Sequence, residues 1–240
     1  MTRVGEKPPH SPKRFYDRVE CVEEDAGFAI RLDGRMAKTR SGKPLCVESL
    51  PFGRAVADEW DARKDVIDLT SMPMTRFAMA LIDLGARDKG AWRDVILSFL
   101  SSDLVCYRAA APAALVERQT TAWDPLLEWA RSELSVELKT SEGVVFVDQS
   151  PEARNAAGRI IDAESSARTL GVKAAAEIAG SAVIALALMK GAFPAEQLFA
   201  ASRVDEDFQA ERWGLDQEAQ ARAKRLERDF FDVARFFSLI

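Results

Sequence analysis

The chain has 240 residues, 48% of them hydrophobic and 30% charged, with a formal net charge of −5. That is a globular composition, long enough for one large domain or two small ones, and its acidic balance argues against a general nucleic-acid binder. Cys21, Cys46 and Cys106 are scattered and odd in number, which speaks against a disulfide framework or a zinc knuckle and fits a reducing compartment.

Met1 to Pro12 is polar, carries Pro8, Pro9 and Pro12, and has no apolar stretch of the kind a secretory signal needs. A flexible arm over residues 1–12 and a cytoplasmic protein are expected. From Arg14 the pattern turns to strands. Phe15 to Val22 precedes the turn cluster Glu23 to Gly27, and Phe28-Ala29-Ile30-Arg31-Leu32 alternates with period two. Asp33-Gly34 is a hairpin signal, Arg35 to Thr39 returns, and Pro44 to Val47 follows the Ser41-Gly42 turn. The expectation is a meander of about four strands.

The period then changes. Leu50, Phe52, Ala55, Val56 and Trp60 suit an amphipathic helix over Ser49 to Arg63. Val66 to Leu69 reads as extended. Helices are predicted from there: Pro73 to Leu84, Lys89 to Leu100, Pro112 to Ala122, Pro125 to Leu134, Pro151 to Leu170, Val172 to Met189, Pro194 to Ser202, and two closing segments. Proline opens several of them, since the first helical residue needs no amide donor. Asp124 before Pro125 is such a helix start, flanked by Trp123 and Trp129. Leu104 to Tyr107 and Val144 to Val147 are short extended pieces that complete the sheet or serve as connectors. Leu226, Phe230, Val233 and Phe237 mark a closing core helix. Strands first and helices after predict an α+β fold, with an N-terminal strand-rich α+β domain over 13–80 and a mainly helical C-terminal domain over 81–240. The apolar run Ile178 to Met189 is shorter than the ~20 residues that cross a bilayer, so a core helix is expected there.

Chemistry is sparse. The lone histidine, His10, lies in the expected arm, which removes histidine-based triads and histidine zinc sites. Gly42-Lys43 lacks the rest of a phosphate-binding loop and reads as a turn; Gly180-Ser181 lies within a helix-like run, where no nucleophile elbow forms. No catalytic, cofactor-binding or metal-binding residue is assigned. Asp205, Glu206 and Asp207 leave carboxylate acid–base chemistry open, although three consecutive acids are more often a solvated face or a favourable first turn.

On one helix from Val204 to Leu215, at about 100° per residue, Val204, Phe208 and Leu215 form a core stripe. Glu206, Gln209 and Trp213 fall opposite it. A tryptophan beside a carboxylate and an amide supplies apolar area with a polar handle, as a contact patch requires. Alternatively, Gly214 ends the helix and Trp213 packs under a neighbouring loop.

Several short motifs also stand in a particular order. They are Arg14-Phe15-Tyr16, Leu32-Asp33-Gly34-Arg35 with Lys38-Thr39, Glu59-Trp60, and Met72-Pro73-Met74-Thr75. Ser102-Asp103, Tyr107-Arg108-Ala109, Trp123-Asp124-Pro125-Leu126-Leu127 with Trp129, and Phe208-Gln209 with Trp213-Gly214 follow. Together they resemble the assembly-chaperone family that holds the free α subunit of the F-type ATP synthase head before it pairs with β, the Atp-twelve family. Met74 and Phe77 stand where leucines are expected, a change that cores tolerate. The resemblance implies an ATP-independent chaperone and no enzyme, with no cofactor and no membrane insertion. It implies the α subunit as protein partner; a monomer is expected. Asp205, Glu206, Asp207, Gln209 and Trp213 are the partner-binding candidates. An enzyme using the acidic cluster, or a permanent structural or regulatory subunit, are the alternatives.

Overall fold

The computed structural model describes residues 12–143, 145–214 and 216–240. All of the expected arm but Pro12, with His10, lies outside the described residues, as do Val144 and Leu215. Two compact units divide the chain: one holds the described residues through Ala86 with Ser238–Ile240, the other Arg87–Phe237.

In the first unit, β1 (Val19–Glu24) and β2 (Gly27–Leu32) form an antiparallel hairpin with Val19 opposite Leu32 and Glu24 opposite Gly27. Asp33 and Gly34 turn the chain at φ 49° and 75°, the left-handed pair that such tight hairpins demand. β3 (Arg35–Met36) and β4 (Cys46–Val47) both pair with β2. The last two strands are shorter than expected, with Lys38 and Pro44 meeting in an isolated bridge.

Helix α1 (Leu50–Asp61) starts at Ser49, whose hydroxyl accepts the Phe52 amide. It buries Phe52, Val56 and Trp60. Gly53 lets it come close to the sheet, since a Cβ there would stand 2.8 Å from Cys21 Sγ on β1. The Tyr16 hydroxyl donates to the Trp60 carbonyl at 2.7 Å, with the two rings 5.8 Å apart. After a short 3-10 turn, Leu69–Ser71, helix α2 runs over Pro73–Ser101. Its first amides are met by a buried carboxylate: Glu59 accepts from Met74 N at 2.8 Å and Thr75 N at 2.7 Å. Two helices were expected here, Pro73 to Leu84 and Lys89 to Leu100, and they are one. Gly85 and Gly90 each cost about 1 kcal/mol relative to alanine in a helix, which the burial of Trp92, Ile96 and Leu100 exceeds.

The second unit is helical. A 3-10 turn, Leu104–Cys106, leads into β5 (Tyr107–Arg108), which pairs in parallel with β6 (Ser141–Glu142). This ladder is separate from the meander and lies just before the piece predicted at Val144 to Val147. Helix α3 (Ala113–Leu134) continues straight through Pro125, so the helix start expected at Asp124-Pro125 is absent. Burial of Trp123, Leu126 and Ala130 along one stripe outweighs the hydrogen bond that proline forfeits, and Asp124 pairs with Arg108 at 2.8 Å instead of capping.

The two long helices expected over Pro151 to Leu170 and Val172 to Met189 are three: α4 (Pro151–Ala163), α5 (Ser166–Ala179) and α6 (Ala182–Lys190). Ser165 caps α5 and Ser181 caps α6, with Gly180 left-handed at φ 68° between them. Gly180-Ser181 is thus a break, where the sequence pattern reads as helix. Then come α7 (Ala195–Ala201), α8 (Val204–Trp213) and α9 (Gln217–Leu239), the last burying Phe230, Val233 and Phe236. Among the described residues, no helix is long and apolar enough to cross a membrane. The architecture is α+β with a helical C-terminal part.

Helix α6 is buried from Ala182 to Met189, and its start meets the fully buried Asp103. The Asp103 carboxylate accepts the amides of Ala182 at 2.8 Å, Val183 at 3.1 Å and Val105 at 3.3 Å. Burial still pushes its carboxyl up to about 6, against the pull of the Ser181 hydroxyl and those amides.

Two expectations follow from these contacts. Trp60→Ala removes a side chain that is 6% exposed and should cost about 3–5 kcal/mol in chemical denaturation. Folded Asp103 holds its proton more tightly than an unfolded aspartate, so ionising it costs stability as pH rises from near 4 to about 6. Over that window the stability of the wild type relative to Asp103→Asn should fall, by about 3 kcal/mol at most, and then level off above pH 7.

Candidate functional site

The acidic start of α8 has an electrostatic cause. Asp205, Glu206 and Asp207 occupy its first turn, where free amides leave partial positive charge. Arg203, just before it, lies 3.2 Å from Glu206 and 3.9 Å from Asp207. Gly214 ends the helix at φ 76°, donating its amide to the Ala210 carbonyl at 2.8 Å.

The three acids then diverge. Asp205 turns inward: Gln119 Nε2 on α3 donates to its Oδ1 at 2.7 Å. The same buried Gln119 accepts the Ala109 amide through Oε1 at 2.7 Å, so one side chain links the residue after β5 with α3 and α8. One turn on, Trp123 Nε1 donates to the Ala201 carbonyl at 2.7 Å, fastening α3 to the end of α7. Phe208, the buried residue of α8, has the guanidinium groups of Arg118 and Arg212 over its ring, 5.2 and 4.7 Å from the centroid. Arg118 also grips both oxygens of Glu211, at 2.8 and 2.7 Å.

Glu206, Gln209 and Trp213 all face solvent, as the helical spacing predicts. Trp213 is 77% exposed, so it does not pack under a loop. Phe208 is buried and Val204 half-buried, in keeping with the stripe read from the sequence, while Leu215 lies outside the described residues. Asp207 points elsewhere, with Glu211, into a groove of about 660 Å³ between α3, α7 and α8. Thr121 and Ala122 on α3 and Gln197 and Ala200 on α7 also line it. Partial desolvation raises the Asp207 carboxyl above its ordinary value, Arg203 opposing and Glu211 adding to the rise.

The five candidates therefore form no single patch. Glu206, Gln209 and Trp213 share the outer face, Asp205 is spent on Gln119, and Asp207 belongs to the groove. The acid–base alternative loses geometric support, because Asp205 and Glu206 already answer Gln119 and Arg203. Among the described residues, no group of three or more His, Cys, Asp or Glu is placed to hold a metal ion. Sequence reasoning missed the groove and the roles of Arg118 and Gln119. Their only signal is two polar residues one turn before Trp123, which a pattern reading takes for a solvated face. It also missed the exposed apolar side chains Phe15, Val145 and Phe146.

The family model of the ATP12 chaperone protein matches residues 13–131. The mitochondrial protein atp12 of Schizosaccharomyces pombe is 23% identical over 219 residues, spanning 86% of this chain and 75% of its own. The crystal structure of Atp12 from Paracoccus denitrificans is similar at 35% identity and TM-score 0.88, covering 95% of this chain and 97% of that one. An aspartate-to-lysine mutant of the same Paracoccus protein matches at TM-score 0.89 over the same shares. A candidate chaperone from Agrobacterium tumefaciens is 38% identical at TM-score 0.89, covering 95% of this chain and 86% of its own.

The roles of Gln119 and Glu206 should separate cleanly in stability measurements. Gln119→Ala strands the Ala109 amide and the Asp205 carboxylate, and should cost about 1–3 kcal/mol by urea midpoint. Glu206→Ala removes an exposed ion pair and should change stability by no more than about 1 kcal/mol.

Proposed function

The chain belongs to the ATP12 chaperone family, and on that premise we propose that it is an ATP-independent assembly chaperone of the F-type ATP synthase head. It holds the unassembled α subunit and keeps it from aggregating until the subunit pairs with β. The physical logic suits such a client. A subunit destined for a ring carries large apolar interfaces, which aggregate when left unpaired. Covering one of them calls for a shaped surface with an anchor, and no bond needs to be made or broken.

The observation that carries this reading is Trp213, 77% exposed on a helix whose opposite side is buried through Phe208. Tryptophan is among the residues enriched as interface anchors, burying a large area at low conformational cost. Gln209 and Glu206 beside it offer an amide and a carboxylate for polar contacts. We place the client on this face; of the two remaining acids, Asp205 is held by Gln119 and Asp207 lines the groove behind it. Glu206, Gln209 and Trp213 are all exposed, which leaves them free to serve recognition.

Purified α subunit, diluted from denaturant and followed by light scattering, tests the proposal. Wild-type protein should suppress aggregation. Trp213→Ala and Glu206→Lys should each need tenfold or more protein for the same protection, while circular dichroism and melting temperature stay near wild type. A loss of ~2–5 kcal/mol is the scale expected when one partner of a desolvated interfacial charge contact is removed. Full protection by both folded variants would move the client site elsewhere. The protein should also co-purify with free α subunit and be missing from finished ATP synthase; its presence there would favour the permanent-subunit alternative.

A further inference from the structure

The groove between α3, α7 and α8 is a second surface, on the other side of α8 from Trp213. Small side chains, Ala122 on α3 and Ala200 on α7 among them, form part of its lining, so a guest backbone can come close. Its volume of about 660 Å³ falls within the range of pockets that enclose a ligand, roughly 300–1,000 Å³, and holds several side chains of a bound segment.

Its charge is one-sided. Glu117, Asp207 and Glu211 line it against one cation, Arg118. Arg118 is already committed to both oxygens of Glu211. Among the described residues Glu117 has no cationic partner, and Asp207 has Arg203 at 3.9 Å. Glu117 is thus left without a cation and Asp207 with only a long contact to one, and partial desolvation, with Glu211 adding to it, raises the Asp207 carboxyl despite Arg203. An anionic or neutral guest would leave these acids uncompensated, whereas a lysine or arginine would neutralise them.

We propose that this groove binds an apolar segment of the client protein that carries lysine or arginine, with Glu117 and Asp207 receiving the cation. The assignment of the segment to the client rests on the proposed chaperone reading; the groove's preference for cationic apolar chain does not. Two contacts on opposite sides of α8, the Trp213 face and the groove, would hold one client more tightly than either alone, by raising the local concentration for the second contact.

The groove is tested with a fluorescently labelled leucine–lysine amphipathic peptide and its leucine–glutamate counterpart, by anisotropy on the full chain. Wild-type protein should bind the lysine peptide and leave the glutamate peptide free. Thr121→Trp fills the groove from an exposed position, and the double change Glu117→Lys with Asp207→Lys reverses its charge. Each should weaken the lysine peptide tenfold or more. Failure of wild type to bind it, equal binding of the two peptides, or unchanged affinity in both folded variants would overturn the proposal. The same variants in the light-scattering assay should protect the α subunit less well. If they lose the peptide yet protect fully, the assignment of the groove to the client is overturned. Should wild type bind the lysine peptide and not protect the α subunit at all, the proposed function falls and the groove's cation preference stands.

Discussion

The helical unit depends on how the free amides at the start of a buried helix are satisfied. Helix α6 has no polar side to turn to water, since every residue from Ala182 to Met189 is buried. Its first amides cannot be hydrated, and each unpaired one would cost on the order of 1–3 kcal/mol. Asp103 answers two of them and the Ser181 hydroxyl a third, at Ile184. The carboxylate sacrifices its own hydration to do so, which is why its proton is held up to about 6. With that junction closed, α6 packs against α5, α3 and α7. Glu59 does the same for α2 within the first unit, at Met74 and Thr75. Both acids come from elements distant in sequence from the helix they cap, so secondary and tertiary structure form together at these points.

Joints between distant segments also account for several of the ordered motifs of the sequence. Glu59-Trp60 and Met72-Pro73-Met74-Thr75 meet as acceptor and donors of one cap. Tyr107-Arg108-Ala109 meets Trp123-Asp124 through the Arg108–Asp124 ion pair and through Arg108 over the Trp123 ring, 5.2 Å from its centroid. Segments that look weak as separate words are halves of physical contacts. A joint of this kind fixes residue types at both ends and leaves the intervening chain free to vary.

The fold class was legible because the hydrophobic period changes from two to about 3.6 near Leu50, and periodicity depends on local geometry alone. Element ends were less so, for a shared reason. Pro125 and Gly85 are local breakers, yet burial of Trp123, Leu126 and Trp92 carries the helices through them. At Gly180-Ser181 the reverse holds: an unbroken apolar pattern conceals a turn that Asp103, nearly eighty positions earlier, stabilises. The Ser49 hydroxyl bound to the Leu239 carbonyl is more remote still, and nothing in either segment announces it. The outer face of α8 was legible for the converse reason, because Glu206, Gln209 and Trp213 need only one helix to bring them together. The groove draws on three helices, and a single-helix projection has no means of finding it.

These two surfaces differ in what they can contribute to recognition. Trp213 offers exposed area without enclosure. The groove carries more acids than cations, so under the proposed reading it would select by chemistry and also add long-range attraction, which salt screens over about 8–10 Å. A holding factor must release its client to a rightful neighbour, which limits how tightly any one contact should bind. Under the two proposals above, a hold divided between an exposed anchor and a charged groove would meet that limit, because the neighbour would need to displace only one contact for the advantage of the pair to vanish. The rigidity of α8 is what makes the division workable. Gln119, Phe208 and the Arg118–Glu211 pair fix the helix on α3, so both surfaces are presented from one firm element and neither must be ordered at the moment of binding.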